Sequence, residues 1–260
     1  MTTRVALVTG AARGIGAATV RALAADGWSV LAVDAATDNP VLPYPMGTRE
    51  ELRVLADSLA DVQAYEADVR DVGALEAAVA AAEARWGGLD AAIGAAGVIA
   101  GGAPAWQVPS EQESAVLEVN LCGVLNLARA AAPALMRRPE PRSGRFLAVA
   151  SAAATRGLPQ LAAYCAAKAG VTGFVRALAV ELGGTGVTAN AVSPGSTDTP
   201  ILAESARLYG LESSDQFGAQ QPLGRLLDPA EIAAVLAFLA GPSGSGLTGA
   251  DVPVDGGLAL

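Results

Sequence analysis

Thr9-Gly10-Ala11-Ala12-Arg13-Gly14-Ile15-Gly16 follows directly on the apolar run Val5 to Val8 and leads into an alanine-rich stretch. Glycines spaced Gly-x3-Gly-x-Gly between a strand and a helix let the turn tighten and let backbone N–H groups approach an anion, which the helix N-terminus also favours. Alone, such a turn reads equally well as a plain βα connection. Outward from it the same alternation repeats. Short apolar runs at Val5 to Val8, Ser29 to Val33, Val62 to Tyr65, Ala91 to Ile93, Arg145 to Val149, Val187 to Val192 and Val252 to Val254 predict seven strands. Helical runs begin near Gly14, Thr48, Val72, Ser110, Leu161 and Pro229. Right-handed crossovers then put helices on both faces of a parallel sheet, a single-domain doubly wound α/β fold of about seven strands over residues 1–260. Two segments stand apart and read as functional loops: 35–48, with Leu42, Pro43, Tyr44 and Pro45, and 197–223, polar and mixed.

Composition removes whole classes of chemistry. There is no histidine, so Ser-His-Asp machinery, histidine-ligated zinc and imidazole bases are absent. The net charge of -9 and scattered arginines argue against nucleic acid. Cys122 and Cys165 lie far apart without a CxxC pattern and read as small buried apolar residues in a reducing compartment, with no metal site. No charged leader precedes Val5, so a cytoplasmic protein is expected. The longest uncharged stretch, Ala91 to Val108, carries four glycines and a proline and suits a loop-rich interior better than a bilayer span. A single lysine, Lys168, stands against sixteen arginines. Arginine serves nearly everywhere a cation is wanted, so the exception marks a place needing a compact ammonium, or a stray surface residue.

Asp34 ends the second strand 24 positions after Gly10 (34 − 10). A carboxylate there accepts hydrogen bonds from ribose hydroxyls and repels a 2′-phosphate, which favours NAD over NADP. Arg13 pulls the other way, since a cation in the turn could meet that phosphate, cover an adenine or simply be solvated. Asp68 and Val69 follow the third strand, and Gly94, Ala95, Ala96 and Gly97 the fourth. Parallel sheets bind ligands at such strand ends. Close packing would equally explain the Gly/Ala run, and helix capping Asp68.

Tyr164 and Lys168 are i and i+4 on one helix, so they share a face. A phenol is too weak a base at neutral pH, and a nearby ammonium is expected to lower it toward working pH. Ser151 closes the fifth strand, where its hydroxyl can polarise a substrate oxygen. Asn120 could hold a water that connects Lys168 to solvent.

With Pro194 to Thr199 (PGxxxT), these residues together resemble the classical short-chain dehydrogenases/reductases along nearly the whole chain. The resemblance implies a Rossmann-type fold and, usually, a homotetramer. It implies that Tyr164 is the acid/base, that Lys168 binds the nicotinamide ribose and lowers the tyrosine, that Ser151 orients substrate and that Asn120 serves a proton relay. Gly10, Arg13, Gly14, Ile15, Gly16, Asp34, Asp68, Val69, Ala96 and Gly97 would hold NAD, with Tyr164, Lys168, Pro194, Gly195, Thr197 and Thr199 on its nicotinamide side. Gly94-Ala95-Ala96-Gly97 departs from the family's usual Asn-Asn-Ala-Gly, which puts the adenosine pocket and the sheet bracing there in doubt. The chain also resembles the mycofactocin-coupled subgroup, through the long Asp34 to Asp68 spacing, Ala96 to Gly102 and Leu208 to Leu211. That resemblance implies that Pro40 to Met46 covers a non-exchanging NAD whose electrons leave through mycofactocin. The expected activity is hydride exchange between NAD and an alcohol or ketone, a hydrophobic secondary one. A catalytically silent NAD-binding or sensing protein and an NAD-using isomerase or dehydratase are the alternatives. Ala-rich faces around Ala128 to Ala134 and Ala162 to Ala179 could pack between subunits or within the chain.

Overall fold

A computed structural model describes residues 3–260. One sheet of seven strands, all parallel, runs in the order β3-β2-β1-β4-β5-β6-β7. The strands are β1 Val5–Thr9, β2 Ser29–Asp34, β3 Val62–Glu66, β4 Ala91–Gly94, β5 Arg145–Val149, β6 Thr188–Pro194 and β7 Asp251–Val254. Chain order reverses between β1 and β4, and a crevice forms there at the carboxyl ends of the strands. β1 and β4 are buried along their whole length, because helices cover both faces, so they read as continuous apolar runs without polar alternation.

The helices are α1 Gly14–Ala25, α2 Arg49–Asp57, α3 Val72–Trp86, α4 Ser110–Leu117, α5 Gly123–Arg137, α6 Ala162–Glu181, α7 Pro200–Leu208 and α8 Pro229–Ala240. Leu7, Leu127 and Phe146 belong to the core on one face; Val8, Leu23 and Leu236 belong to that on the other. Ala128, Ala131 and Ala134 lie in that first core, so this part of the alanine-rich pattern packs within the chain. α4 and α5 form a 28-residue helical run, long and apolar enough by itself to cross a membrane, but much of it is packed into the core.

Two boundaries differ from the sequence reading. The 197–223 segment is not simply a loop: it contains α7, whose start is set by Thr199 accepting from the Leu202 N–H at 3.3 Å, with Pro200 in the first turn. Thr-Pro is a helix-start signature that the polar surroundings masked. The run from Ser110 is interrupted by a π turn at Glu118–Cys122, which no residue type announces, and Cys122 at its end is exposed and Cys165 half-buried, where the sequence reading predicts both buried.

Candidate active site

One cavity of about 700 Å³ opens along the carboxyl ends of the strands. Every candidate site residue from the sequence lines it: Gly10, Arg13, Gly14, Ile15, Gly16, Asp34, Asp68, Val69, Ala96, Gly97, Asn120, Ser151, Tyr164, Lys168, Pro194, Gly195, Thr197 and Thr199.

The glycine turn is built from backbone approaches that a side chain would block. Gly10 has φ +68°, and a Cβ there would lie 2.6 Å from the Ala96 backbone; at Gly16 it would lie 2.0 Å from the Gly10 carbonyl oxygen. Asp34 holds this turn in place: its Oδ2 accepts from the Ala12 N–H and its Oδ1 from the Ala36 N–H, both at 3.0 Å. Ionised carboxylates have about four acceptor positions, so two backbone donors leave capacity for a ligand.

The neighbouring strand ends differ from expectation in detail. Asp68 does not cap α3; Asp71 does, accepting from the Ala74 N–H at 3.1 Å. Burial pushes the Asp68 carboxyl up, but its hydrogen bonds from the Arg70 guanidinium and N–H outweigh this and hold it below the usual range. Ala95 and Ala96, in the run that departs from the family pattern, lie against Gly10, and the Ala96 N–H donates to Thr9 Oγ1 at 3.4 Å. That bond links the β1 and β4 ends without a side-chain amide.

Asn120 binds backbone through both ends of its side-chain amide. It sits on the π turn, fully buried, and Nδ2 donates to the carbonyls of Val98 and Val116, both at 2.8 Å, while Oδ1 accepts from the Val98 N–H at 3.2 Å. Both amide protons are spent on backbone, so the side chain pins the loop after β4 and has no proton left to donate to a water.

Ser151, Tyr164 and Lys168 meet between β5 and α6. Lys168 Nζ donates to the Val149 carbonyl at 2.8 Å and lies 5.7 Å from the centre of the Tyr164 ring. Burial pushes the ammonium down to about 8. Burial also pushes the Tyr164 phenol up, to about 12, with Ser151 pulling it partly back and Cys165 adding to the rise. The expected lowering of the phenol by Lys168 is therefore not what this geometry gives: desolvation outweighs it. A phenol held in its protonated form is suited to donating a proton.

The inserted segment crosses this crevice. Leu42 is buried with Val98, Ala100, Ala115, Val116 and Ala167, and Tyr44 and Met46 pack on that cluster. Tyr44 Oη accepts from the Ile99 N–H at 2.8 Å, and burial pushes its phenol up to about 12. Arg13 Nη2 donates to the Pro45 carbonyl at 2.6 Å. Thr37, Asp38, Asn39, Met46 and Gly47 add to the cavity wall.

Sequence reasoning missed Gln221 and Arg156. Gln221, 2% exposed, accepts from the Ser196 N–H through Oε1 at 2.8 Å and donates to the carbonyls of Ser196 and Arg225. It clamps the Pro194 to Ser196 turn, where a Cβ on Gly195 would meet its Oε1 at 2.3 Å. Nothing local signals that partnership, 25 residues apart in the chain. Arg156 lines the cavity beyond Ser151.

Residues 10–259 match the family described as enoyl-(acyl carrier protein) reductase. A curated relative, the cis-4-hydroxycyclohexanecarboxylate dehydrogenase of Sinomonas cyclohexanicum, is 36% identical over 98% of this chain and 96% of its own length. Carveol dehydrogenase from Mycobacterium avium, solved in complex with NAD, is 30% identical over 98% of this chain and 97% of that one, with a TM-score of 0.92. An actinorhodin polyketide ketoreductase with NADPH is 34% identical over 99% and 97%, with a TM-score of 0.88.

Proposed function

We propose, from the premise that the chain belongs to the classical short-chain dehydrogenase/reductase family, that it interconverts an alcohol, secondary and apolar, and its carbonyl by hydride exchange with NAD(H). The observation that carries this reading is that Ser151, Tyr164 and Lys168 share one cavity with the glycine turn and Asp34. A dinucleotide fits there: the glycine turn, closed tightly on backbone, lines the cavity at the N-terminus of α1, where backbone N–H groups favour an anion. Gly10, Gly14, Ile15 and Gly16 would take its pyrophosphate, and Asp34 the adenosine ribose. Asp68, Val69, Ala96 and Gly97 would line the adenosine side, and Pro194, Gly195, Thr197 and Thr199 the nicotinamide side. The nicotinamide, when bound, supplies or accepts the hydride.

The chain's own residues move the proton. In the reducing direction Tyr164 Oη donates to the carbonyl oxygen, which Ser151 Oγ orients and polarises. A phenol raised to about 12 holds that proton at neutral pH until the carbonyl oxygen takes it. Lys168, buried beside it, supplies a compact cation near the ribose and the phenol.

NAD is favoured over NADP by Asp34, and Arg13 spends one of its donors on the Pro45 carbonyl, which ties it to the inserted segment. Tyr44, Leu42 and Arg13 together support Pro40 to Met46 as a cover that retains the cofactor, with mycofactocin as the electron acceptor. A homotetramer is in keeping with the exposed small residues Ala162, Ala166, Ala169, Gly173 and Ala177 along α6.

The test is Tyr164→Phe. Nicotinamide absorbance followed with a panel of apolar ketones and alcohols, plus an artificial electron acceptor, should show turnover falling by about 10²- to 10⁴-fold with NAD binding retained. Unchanged turnover would remove the assignment.

A further inference from the structure

The cavity's cations differ in where they stand and in what they are paired with. Arg13, with one bond to the Pro45 carbonyl, stands in the glycine turn after β1, Arg70 is paired with Asp68 and lies 4.0 Å from Glu118, and Lys168 is buried in the catalytic group. Arg156 is different. It follows β5 in the turn beyond Ser151, and its one side-chain hydrogen bond among the described residues runs from Nη1 to the Leu258 carbonyl at 2.6 Å. No carboxylate lies within ion-pair distance of it among those residues, and the acidic groups lining the cavity, Asp34, Asp38 and Asp68, all follow β2 and β3 on the other flank of the sheet. Guanidinium carries five N–H donors in a planar fork, so one bond leaves most of them for a second partner.

The surroundings set what that partner is. Leu158, Leu161, Leu211, Phe217 and Leu258 make this end of the cavity apolar, and Gln220, exposed and with no side-chain hydrogen bond among the described residues, adds an amide at its rim. Tyr209 is already committed, its hydroxyl donating to the Pro159 carbonyl at 2.7 Å. An apolar body with one planar anion at its edge satisfies all of these groups at once.

We infer that the alcohol or ketone carries a carboxylate on its otherwise apolar body, and that Arg156 is the specificity residue that reads it, with Gln220 on the wall of the same cavity. The inference rests on the proposed carbonyl chemistry of the same cleft, since Ser151 and Tyr164 would then hold the other end of the molecule. Arg156 touches neither the nicotinamide side nor the proton path as assigned above, so its loss separates substrate choice from catalysis.

Calorimetric titration of the full chain with NADH tests it, using cyclohexanecarboxylate and its neutral counterpart cyclohexanecarboxamide as probes. The carboxylate should bind about five- to tenfold more tightly than the amide, the size of one charge-assisted contact at an exposed site, and the margin should shrink as salt is raised. Arg156→Gln should erase the margin and leave amide binding unchanged, and Arg156→Lys should restore part of it. Equal binding of the two probes by the unaltered chain overturns the inference. So does a margin that survives Arg156→Gln, or a parallel loss of both probes, which would make Arg156 only a strut for Leu258. If Tyr164→Phe leaves turnover intact while the carboxylate margin persists, the hydride chemistry falls and the anion site stands.

Discussion

Arg13 and Pro45 are joined by a 2.6 Å hydrogen bond from the guanidinium to the carbonyl, which fastens the inserted segment to the glycine turn. Across the crevice Tyr44 Oη accepts from the Ile99 N–H. The segment therefore has one fastening on the β1 side and another on the β4 side, with Leu42 buried beneath it. On the proposed reading, cofactor held in the crevice leaves when this strap lifts. Arg13→Gln and Tyr44→Phe each remove one fastening, worth about 1 kcal/mol, so each should speed NADH release about fivefold. Displacement of bound NADH by excess NAD in stopped-flow fluorescence reads this directly, and release rates equal to the unaltered chain would show that the strap does not retain the cofactor.

Asp34 is tied to the same turn but plays another part. Its oxygens hold the Ala12 and Ala36 N–H groups, so the carboxylate stands fixed where the adenosine ribose is proposed to lie. Asp34→Ser keeps a small polar side chain and removes the negative charge. The ratio of kcat/KM with NAD to that with NADP should drop by about 10- to 100-fold, the size of one charge-assisted hydrogen bond and its lost repulsion. A ratio that does not move would mean that the ribose is read elsewhere.

The glycine turn divides into positions of different severity. At Gly16 a Cβ would lie 2.0 Å from the Gly10 oxygen and 3.2 Å from the Ala11 Cα, all backbone that cannot swing away. At Gly14 the nearest atom is Thr199 Cγ2 at 3.4 Å, and the cost is the positive φ of +57°. Gly14→Ala should therefore destabilise by about 1 kcal/mol and Gly16→Ala by about 3 kcal/mol or more. Thermal melts of the two variants check the order, and equal melting points would contradict it.

What the sequence made legible was whatever rests on short-range pattern. Apolar runs buried on both faces gave the strands to within a residue or two at each end, and Tyr164 with Lys168 needed only the helical repeat. Gln221 was invisible because its partner is the backbone of Ser196, a contact made only when the two chain segments meet. Asn120 shows the reverse case: it lies in the cleft as the pattern suggested, but the π turn aims its amide protons at Val98 and Val116. The direction of the Tyr164 shift was lost for a similar reason. Spacing places an ammonium near the phenol, whereas burial, a property of the assembled fold, decides which charge survives there.

Lys168 carries the clearest consequence of that burial. Its ammonium titrates near 8 in the folded chain against about 10.5 when exposed, because desolvation penalises the charged form. The folded state thus sheds this proton first, and between those two values the unfolded chain binds more of it, so stability rises with pH across the window. Below about 8 the whole penalty is present, on the order of 3 kcal/mol. Lys168→Met removes it and gives up the bond to Val149, worth about 1 kcal/mol. The variant should then melt about 4–8 °C higher than the unaltered chain at pH 6.5, with the gap narrowing as pH approaches 10.5, while turnover collapses. Thermal melts across that range, read beside activity, decide it. A variant that melts lower at pH 6.5 would mean that the ammonium is a stabilising charge in this site, and that burial is not what sets its proton.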